Sequence, residues 1–210
     1  MSMRPRLWHQ PLPMTDPLFD PARLAAENAA LKARVAALEA RIEDLQRLAD
    51  SDPLTPLPNR RHFLRAVAAC VARVARHGTP AAVLFVDVDG LKAINDAHGH
   101  GAGDDVLIHI AWLLRQRVRG SDVVARIGGD EFGVLLEHVA PSAAAEKARL
   151  LARAVAETPL RGIPVAVSIG VAPLAAGDSA EAALARADGE MYRVKRGDVS
   201  VRSDSSGPWR

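Results

Sequence analysis

Carboxylates carry the first chemical signal. Asp87 and Asp89 stand two apart at the end of an apolar run, so in an extended strand they point to the same side. Such a pair can hold a hard divalent cation through oxygen. Taken alone, its plainer reading is a solvated turn in which Asp89 caps the next helix. A second acidic pair, Asp130-Glu131, follows Gly128-Gly129 just as apolar residues resume at Phe132. Gly-Gly-Asp suits a hairpin turn on backbone grounds alone. Acids at a tight tip between buried strands are costly, however, without a cation or a donor. Paired carboxylates on adjacent strand ends are the layout of a two-metal phosphoryl-transfer site.

The third cluster is Lys92, Asn95 and Asp96, followed by the run from His98 through Gly99, Gly101 and Gly103 to Asp104. The glycines permit close backbone approach to a ligand. Lys92 can neutralise phosphate. Asn95 and Asp104 can read a base edge, and Asp suits guanine because N1–H and the 2-amino group are both donors. His98 and His100 form a lone H-x-H in a Gly-rich loop, a pattern that is structural more often than metal-binding.

These clusters need elements to position them. Residues 60–77 read as a helix ending at Gly78. Residues 81–87 read as a buried strand and 103–119 as a helix. Residues 122–127 and 131–137 read as strands joined by Gly128-Gly129-Asp130. Residues 142–157 read as a helix, 163–172 as a strand and 179–195 as a helix. The middle of this order is βαββαβ. That is the ferredoxin-like α+β arrangement, an antiparallel-containing sheet with helices on one face. It makes the first and third strands neighbours and so brings Asp87 to Asp130.

Ahead of this unit lies a different periodicity, over residues 20–50. Asp20 suits an N-cap and Pro21 a first helical position. Leu24, Leu31, Leu38 and Leu45 recur every seventh residue as d positions, with Asn28, Val35, Ile42 and Ala49 at a. Leu at d with β-branched residues at a favours a parallel pair of helices, and one Asn at a fixes register. Glu27 faces Lys32, and Arg34 faces Glu39, across such a pair; Arg41 faces the neutral Gln46. The alternative is an amphipathic helix packed on its own domain, since alanines widen the stripe. The pattern as a whole favours a parallel coiled-coil homodimer. The segment 1–19, with Pro5, Pro11, Pro13 and Pro17, and the Ser- and Gly-containing segment 200–210 read as flexible tails around a domain of residues 51–199.

Composition narrows the class. Of 210 residues, 49% are hydrophobic and 25% charged, which are globular values, and only 4% are aromatic, so Ala, Val, Leu and Ile must build the core. The net charge is +2, too small to call for a nucleic acid partner. Cys70 is the only cysteine, which excludes a disulfide framework within the chain and suits a reducing compartment. No apolar run approaches the ~18 residues of a membrane span. The first residues lack the apolar core of a secretory signal, so a cytoplasmic location is expected.

Taken together, the clusters resemble the GGDEF domain of diguanylate cyclases over roughly residues 50–197. DPLTPLPNRRHF (52–63) is similar to the family's D-x-L-T-G-L-x-N-R-R-x-F, with Pro56 replacing the usual Gly. VDVDGLKAINDAHGHGAGD (86–104) resembles its D-x-D-x-F-K-x-x-N-D…G-H-x-x-G-D. ARIGGDEF (125–132) carries the signature, and VAVSIGVA (165–172) and ADGEMYRVK (187–195) match the closing strand and helix. The resemblance implies that Asp87, the Val88 carbonyl and Asp130 bind two Mg²⁺ or Mn²⁺ ions, with Glu131 assisting at the metal or in activating the ribose hydroxyl. It implies that Asn95 and Asp104 recognise guanine, that Lys92 and Lys195 contact the triphosphate, and that Gly128 and Gly129 border the substrate. It further implies condensation of two GTP into cyclic di-GMP and two pyrophosphates, one GTP per protomer of a homodimer. Arg119 and Asp122, an R-x-x-D ending shortly before Gly128, fall where family members carry an inhibitory product site; the plain alternative is an ordinary turn. Two positions depart from the pattern. Gly90 replaces an aromatic residue, and Arg196-Gly197-Asp198 is one residue short, with Asp198 where a base is usual. A catalytically weak cyclic di-GMP or GTP sensor is the alternative function.

Overall fold

The structure is a computed structural model that describes the backbone of residues 21–196, and their side chains except those of residues 43–48. The expected tails, the Asp20 cap, the Leu45 and Gln46 side chains, Gly197 and Asp198 lie outside the described residues. The chain divides into two units between Ala49 and Asp50.

The N-terminal unit is carried by α1 (Pro21–Asp50), one helix of 30 residues. Its described heptad positions are open to solvent: Leu24, Leu31, Val35, Leu38 and Ile42 are each about half exposed. Arg23 pairs with Glu27 one turn on at 3.1 Å.

The second unit is a four-stranded sheet between two layers of helices. α2 (Arg60–His77) starts at Asn59, whose side chain accepts from the His62 N–H, and stops at Gly78, whose φ of 66° is free of the Cβ penalty. β1 (Ala81–Asp89) is followed by α3 (Leu91–His98) and α4 (His100–Gln116), then β2 (Val123–Arg126), β3 (Glu131–Glu137), α5 (Pro141–Ala156), β4 (Ala166–Pro173) and α6 (Ala180–Lys195). The sheet order is β2-β3-β1-β4 with every neighbouring pair antiparallel, the ferredoxin-like order.

Strand alternation splits the core in two. Ala82, Leu84, Val86 and Val88 of β1 pack with Phe132, Val134 and Leu136 of β3 against α4 and α5. Ala81, Val83 and Phe85 face the other way, against α2 and α6. The helices of the βαββαβ middle thus share one face, as expected, and the flanking α2 and α6 cover the other. The close fit there depends on Gly170. A Cβ at that position would stand 2.1 Å from the Ala187 carbonyl oxygen and 2.1 Å from the Met191 nitrogen, both backbone atoms of α6.

The sequence expectation fails at the Gly-rich run. Residues expected to form a loop before a helix at 103 are helical: α3 was not anticipated, and α4 begins at His100. Only Gly99, at φ 83°, breaks the helix between them. Gly103 is buried in α4, and the Asn95 side chain occupies the space a Cβ would need, 1.9 Å from Asn95 Oδ1. Gly103 thus serves helix-on-helix contact, while Gly99 supplies the positive φ that separates the two helices.

Candidate active site

Sheet register builds the acidic corner. Asp87 in β1 is the partner of Glu131, the first residue of β3. The Val88 N–H donates to the Asp130 carbonyl at 3.0 Å. Hydrogen-bonded and non-hydrogen-bonded pairs alternate along an antiparallel ladder, so Asp87 and Glu131 form the latter kind, whose side chains approach closest. Val88 gains a second role from the same geometry. Its carbonyl points to the same neighbour as its N–H. Among the described residues no backbone N–H of the 128–130 tip donates to that carbonyl. It is an open oxygen beside two carboxylates.

Glu131 folds back over the turn. A Cβ on Gly128 would lie 2.1 Å from Glu131 Oε2, so a side chain there would push the Glu131 carboxylate out of this position. Burial foremost, and then the charges of Asp130, Asp87 and Asp188, hold the Glu131 carboxyl above the usual carboxylate range, with Arg60 opposing. A second cation facing this corner is Lys195, at the end of α6. Its ammonium ion-pairs with Asp87 and stands 3.8 Å from Asp89. The hydrogen bond to Asp87 raises the lysine's pKa, partial burial opposes this, and the Asp87, Asp89 and Asp130 charges add to the rise. Asp89 is itself fixed by the buried Ser168, whose hydroxyl donates to its two oxygens at 2.9 and 3.2 Å.

The signature turn is tied from behind. Arg126 Nη2 and Nε donate to the Gly129 carbonyl at 2.7 and 3.2 Å. Its Nη1 reaches Asp52 at 3.3 Å. Burial pushes the Asp52 carboxyl up, but the N–H and hydroxyl of Thr55 and the Arg126 charge outweigh it and leave its pKa lowered.

Two further groups lie apart from the acidic corner. Asn95 Oδ1 is buried and has no hydrogen-bond partner. An orphaned buried acceptor costs about 1–3 kcal/mol and marks a place for a donor. Asp104 follows Gly103, the residue that Asn95 touches, and is exposed in α4. At the start of α3, Gly90 takes φ 71° and no side chain caps the helix, so the first-turn N–H groups and the exposed Lys92 are open to an anion. A φ of this kind suits glycine, and with D-x-D-x-F-K aligned on Asp87 the aromatic position falls on Leu91, so the departure from the pattern lies at Leu91 and not at Gly90.

Arg119 and Asp122 sit at the far end of β2 from the turn, about 13 Å of strand away. Asp122 is buried, and its oxygens accept from the Arg119 N–H at 2.9 Å and the Glu137 N–H at 3.2 Å. The carboxylate therefore pins the turn, while the Arg119 side chain is exposed.

Among the described residues no three His, Cys, Asp or Glu side chains are grouped so as to hold a metal on their own. That includes His98 and His100. Mg²⁺ does not demand such a cage, because it is usually held by one or two carboxylates together with substrate phosphates. Asp87, Asp130 and the open Val88 carbonyl fit that donor set.

The fold thus brings Asp87, Val88, Asp130, Glu131 and Lys195 together and keeps Asn95 with Gly103 and Asp104 between α3 and α4. Sequence reasoning missed Asp188, Arg126, Ser168 and the α3 N-terminus. The spacing of Asp188 and Lys195, two helical turns apart on one stripe of α6, was the available signal for the first.

Residues 49–199, more than half of the chain, match the model of the GGDEF family, described as "Diguanylate cyclase, GGDEF domain". The chain is 40% identical over 159 residues to the diguanylate cyclase DgcP of Pseudomonas aeruginosa, covering 74% of this chain and 24% of that protein. It is 39% identical over 182 residues to the diguanylate cyclase TpbB of the same species, covering 83% and 38%. It thus spans about a quarter to two fifths of the length of these curated relatives. Among solved structures it is similar to the coiled coil and GGDEF domain of DgcB from Caulobacter crescentus in complex with c-di-GMP. The TM-score is 0.74 at 30% identity, over 83% of this chain and 95% of that one.

Proposed function

The chain belongs to the GGDEF family, and from that premise we propose that it is a diguanylate cyclase working as a homodimer. Two GTP react. The 3′-oxygen of each attacks the α-phosphorus of the other, two P–O bonds form, two pyrophosphates leave, and cyclic di-GMP results. The observation that carries this reading is the single corner where the ladder register joins Asp87, Asp130 and Glu131 to an open Val88 carbonyl.

Asp87, the Val88 carbonyl, Asp130 and Glu131 would hold two Mg²⁺ or Mn²⁺. When bound, the ions supply Lewis-acid neutralisation of charge at the α-phosphate and the leaving pyrophosphate. Glu131, beside Asp130 and paired across the ladder with Asp87, is the group placed to take the proton from the 3′-hydroxyl. The buried Asn95 Oδ1 accepts from a guanine N–H, and Asp104 accepts alongside it. Lys92, the open N–H groups of the α3 start, and Lys195 neutralise the triphosphate. Gly128 keeps a side chain away from the Glu131 carboxylate, and Gly129, with open space around it, leaves room for the nucleotide.

Each site holds one nucleotide, so in-line geometry requires two facing half-sites. The exposed heptad stripe of α1 supports pairing with a second copy, which raises the effective concentration of the other half-site. Arg119, exposed beside a turn that Asp122 holds rigid, is the anchor of an inhibitory site for cyclic di-GMP.

The test is chromatographic. Nucleotide-stripped protein with Mg²⁺ and GTP should yield cyclic di-GMP and pyrophosphate, and Asp130→Ala should abolish both while leaving the fold intact. A chain that binds cyclic di-GMP but never converts GTP would move the protein to the sensor class.

A further inference from the structure

Asp87 has an occupant in the protein as it stands. The Lys195 ammonium ion-pairs with it and lies 3.8 Å from Asp89. Asp89 is fixed in turn by Ser168 at 2.9 and 3.2 Å. Asp87 keeps only 14% of its side-chain surface exposed, against 42% for Lys195. The carboxylate is therefore recessed and the lysine covers it from the solvent side.

We propose that Lys195 holds the place of the divalent cation on Asp87 in the nucleotide-free protein and is exchanged for it when metal and nucleotide arrive together. The inference rests on Asp87 being a metal ligand and concerns how that ligand is regulated. An ammonium and a divalent cation crowded on one recessed carboxylate repel each other, so the two compete for Asp87. Metal alone must displace the lysine and pays that interaction without return. Metal arriving with a triphosphate brings the lysine new anionic partners, the phosphate oxygens, in exchange for Asp87. The device favours loading of cation and nucleotide as a pair over loading of cation alone. It also keeps the recessed carboxylate neutralised before substrate comes, which removes a like-charge clash with Asp89. Asp89 and Ser168 act as positioning residues here, because they fix where the ammonium rests.

The experiment uses Mn²⁺ alone, without nucleotide, titrated into the full chain, with free Mn²⁺ read by electron paramagnetic resonance. An ammonium that competes for Asp87 lowers apparent affinity by the fraction of Asp87 it occupies, so Lys195→Gln should bind Mn²⁺ about fivefold more tightly or better. Lys195→Arg keeps a competing cation and should stay close to wild type. Arg193→Gln removes a charge from the same helix end, where Arg193 pairs with Glu190 at 2.9 Å and not with Asp87. It should leave affinity unchanged. Asp87→Asn should weaken binding in both the wild-type and Lys195→Gln backgrounds. Unchanged or weaker affinity in Lys195→Gln, with Asp87→Asn still weakening it, overturns the exchange and leaves the metal assignment standing. An equal gain from Arg193→Gln reduces the effect to net charge and overturns the exchange too. Indifference to Asp87→Asn overturns both the exchange and the assignment on which it rests.

Discussion

Arg126 grips the Gly129 carbonyl with two nitrogens, at 2.7 and 3.2 Å, while its third nitrogen reaches the Asp52 carboxylate at 3.3 Å. One side chain thus joins the segment that follows α1 to the turn that carries Asp130. Arg126 and Asp52 keep only 14% and 11% of their side-chain surface exposed, so their pairing is poorly screened. Breaking it should cost about 2–3 kcal/mol in urea unfolding for either Arg126→Gln or Asp52→Asn. Arg126→Lys should not rescue, because a single ammonium cannot serve the carbonyl and the carboxylate together.

Gly170→Ala should be among the most damaging single changes. The added methyl meets the α6 backbone at 2.1 Å on two atoms, which cannot give way as a flexible side chain would. The helix must shift from the sheet, at a cost of about 2–3 kcal/mol or more. Denaturant midpoints should fall with little change in slope.

Glu131→Gln should stabilise the metal-free protein at neutral pH. The carboxyl is held above its usual range by burial and by Asp130, Asp87 and Asp188. A raised acid binds its proton more tightly folded than unfolded. Its contribution to stability is therefore complete below the unfolded pKa and is lost as pH rises through the folded one. Glutamine stays neutral throughout. The variant should melt roughly 2 °C higher than wild type at pH 8, and the gap should close as pH falls through the carboxylate range. An equal gap at both ends of a pH series would contradict the environment assigned to Glu131.

The two members of the R-x-x-D should behave oppositely. Asp122 accepts two backbone N–H groups while buried, so Asp122→Ala should lower stability by about 2 kcal/mol. Arg119 is exposed, and Arg119→Ala should leave the melting temperature unchanged while relieving inhibition by added cyclic di-GMP. Inhibition that persists in Arg119→Ala would reduce the motif to its structural half.

Assembly should fail when the α1 stripe is charged. Leu31 and Leu38 are 62% and 55% exposed within the chain, so replacing both by Lys disturbs little internal packing. Sedimentation should show a dimer for the parent chain and a monomer for the variant, with cyclic di-GMP formation falling most at low protein concentration. A dimer that survives both substitutions would place the contact elsewhere.

Much of this protein is determined by its sequence alone, because the deciding signals are local. Period-two and period-3.6 hydrophobicity yields the βαββαβ order. Asn59 and Gly78 bracket α2 by cap chemistry available to any chain. The alternation of β1 puts Asp87 and Asp89 on one side without reference to the rest of the molecule. What tertiary structure decides are the partners, because they depend on register and on the approach of distant elements. Asp87 meets Glu131 across a ladder 44 residues apart in sequence (131 minus 87), and a slip of one residue would turn that side chain to the other face. The glycines of the 98–104 run look like loop residues until Asn95 is seen against Gly103. Lys195 reads as a phosphate ligand from its motif, and only the packing of α6 over the sheet shows its ammonium resting on Asp87.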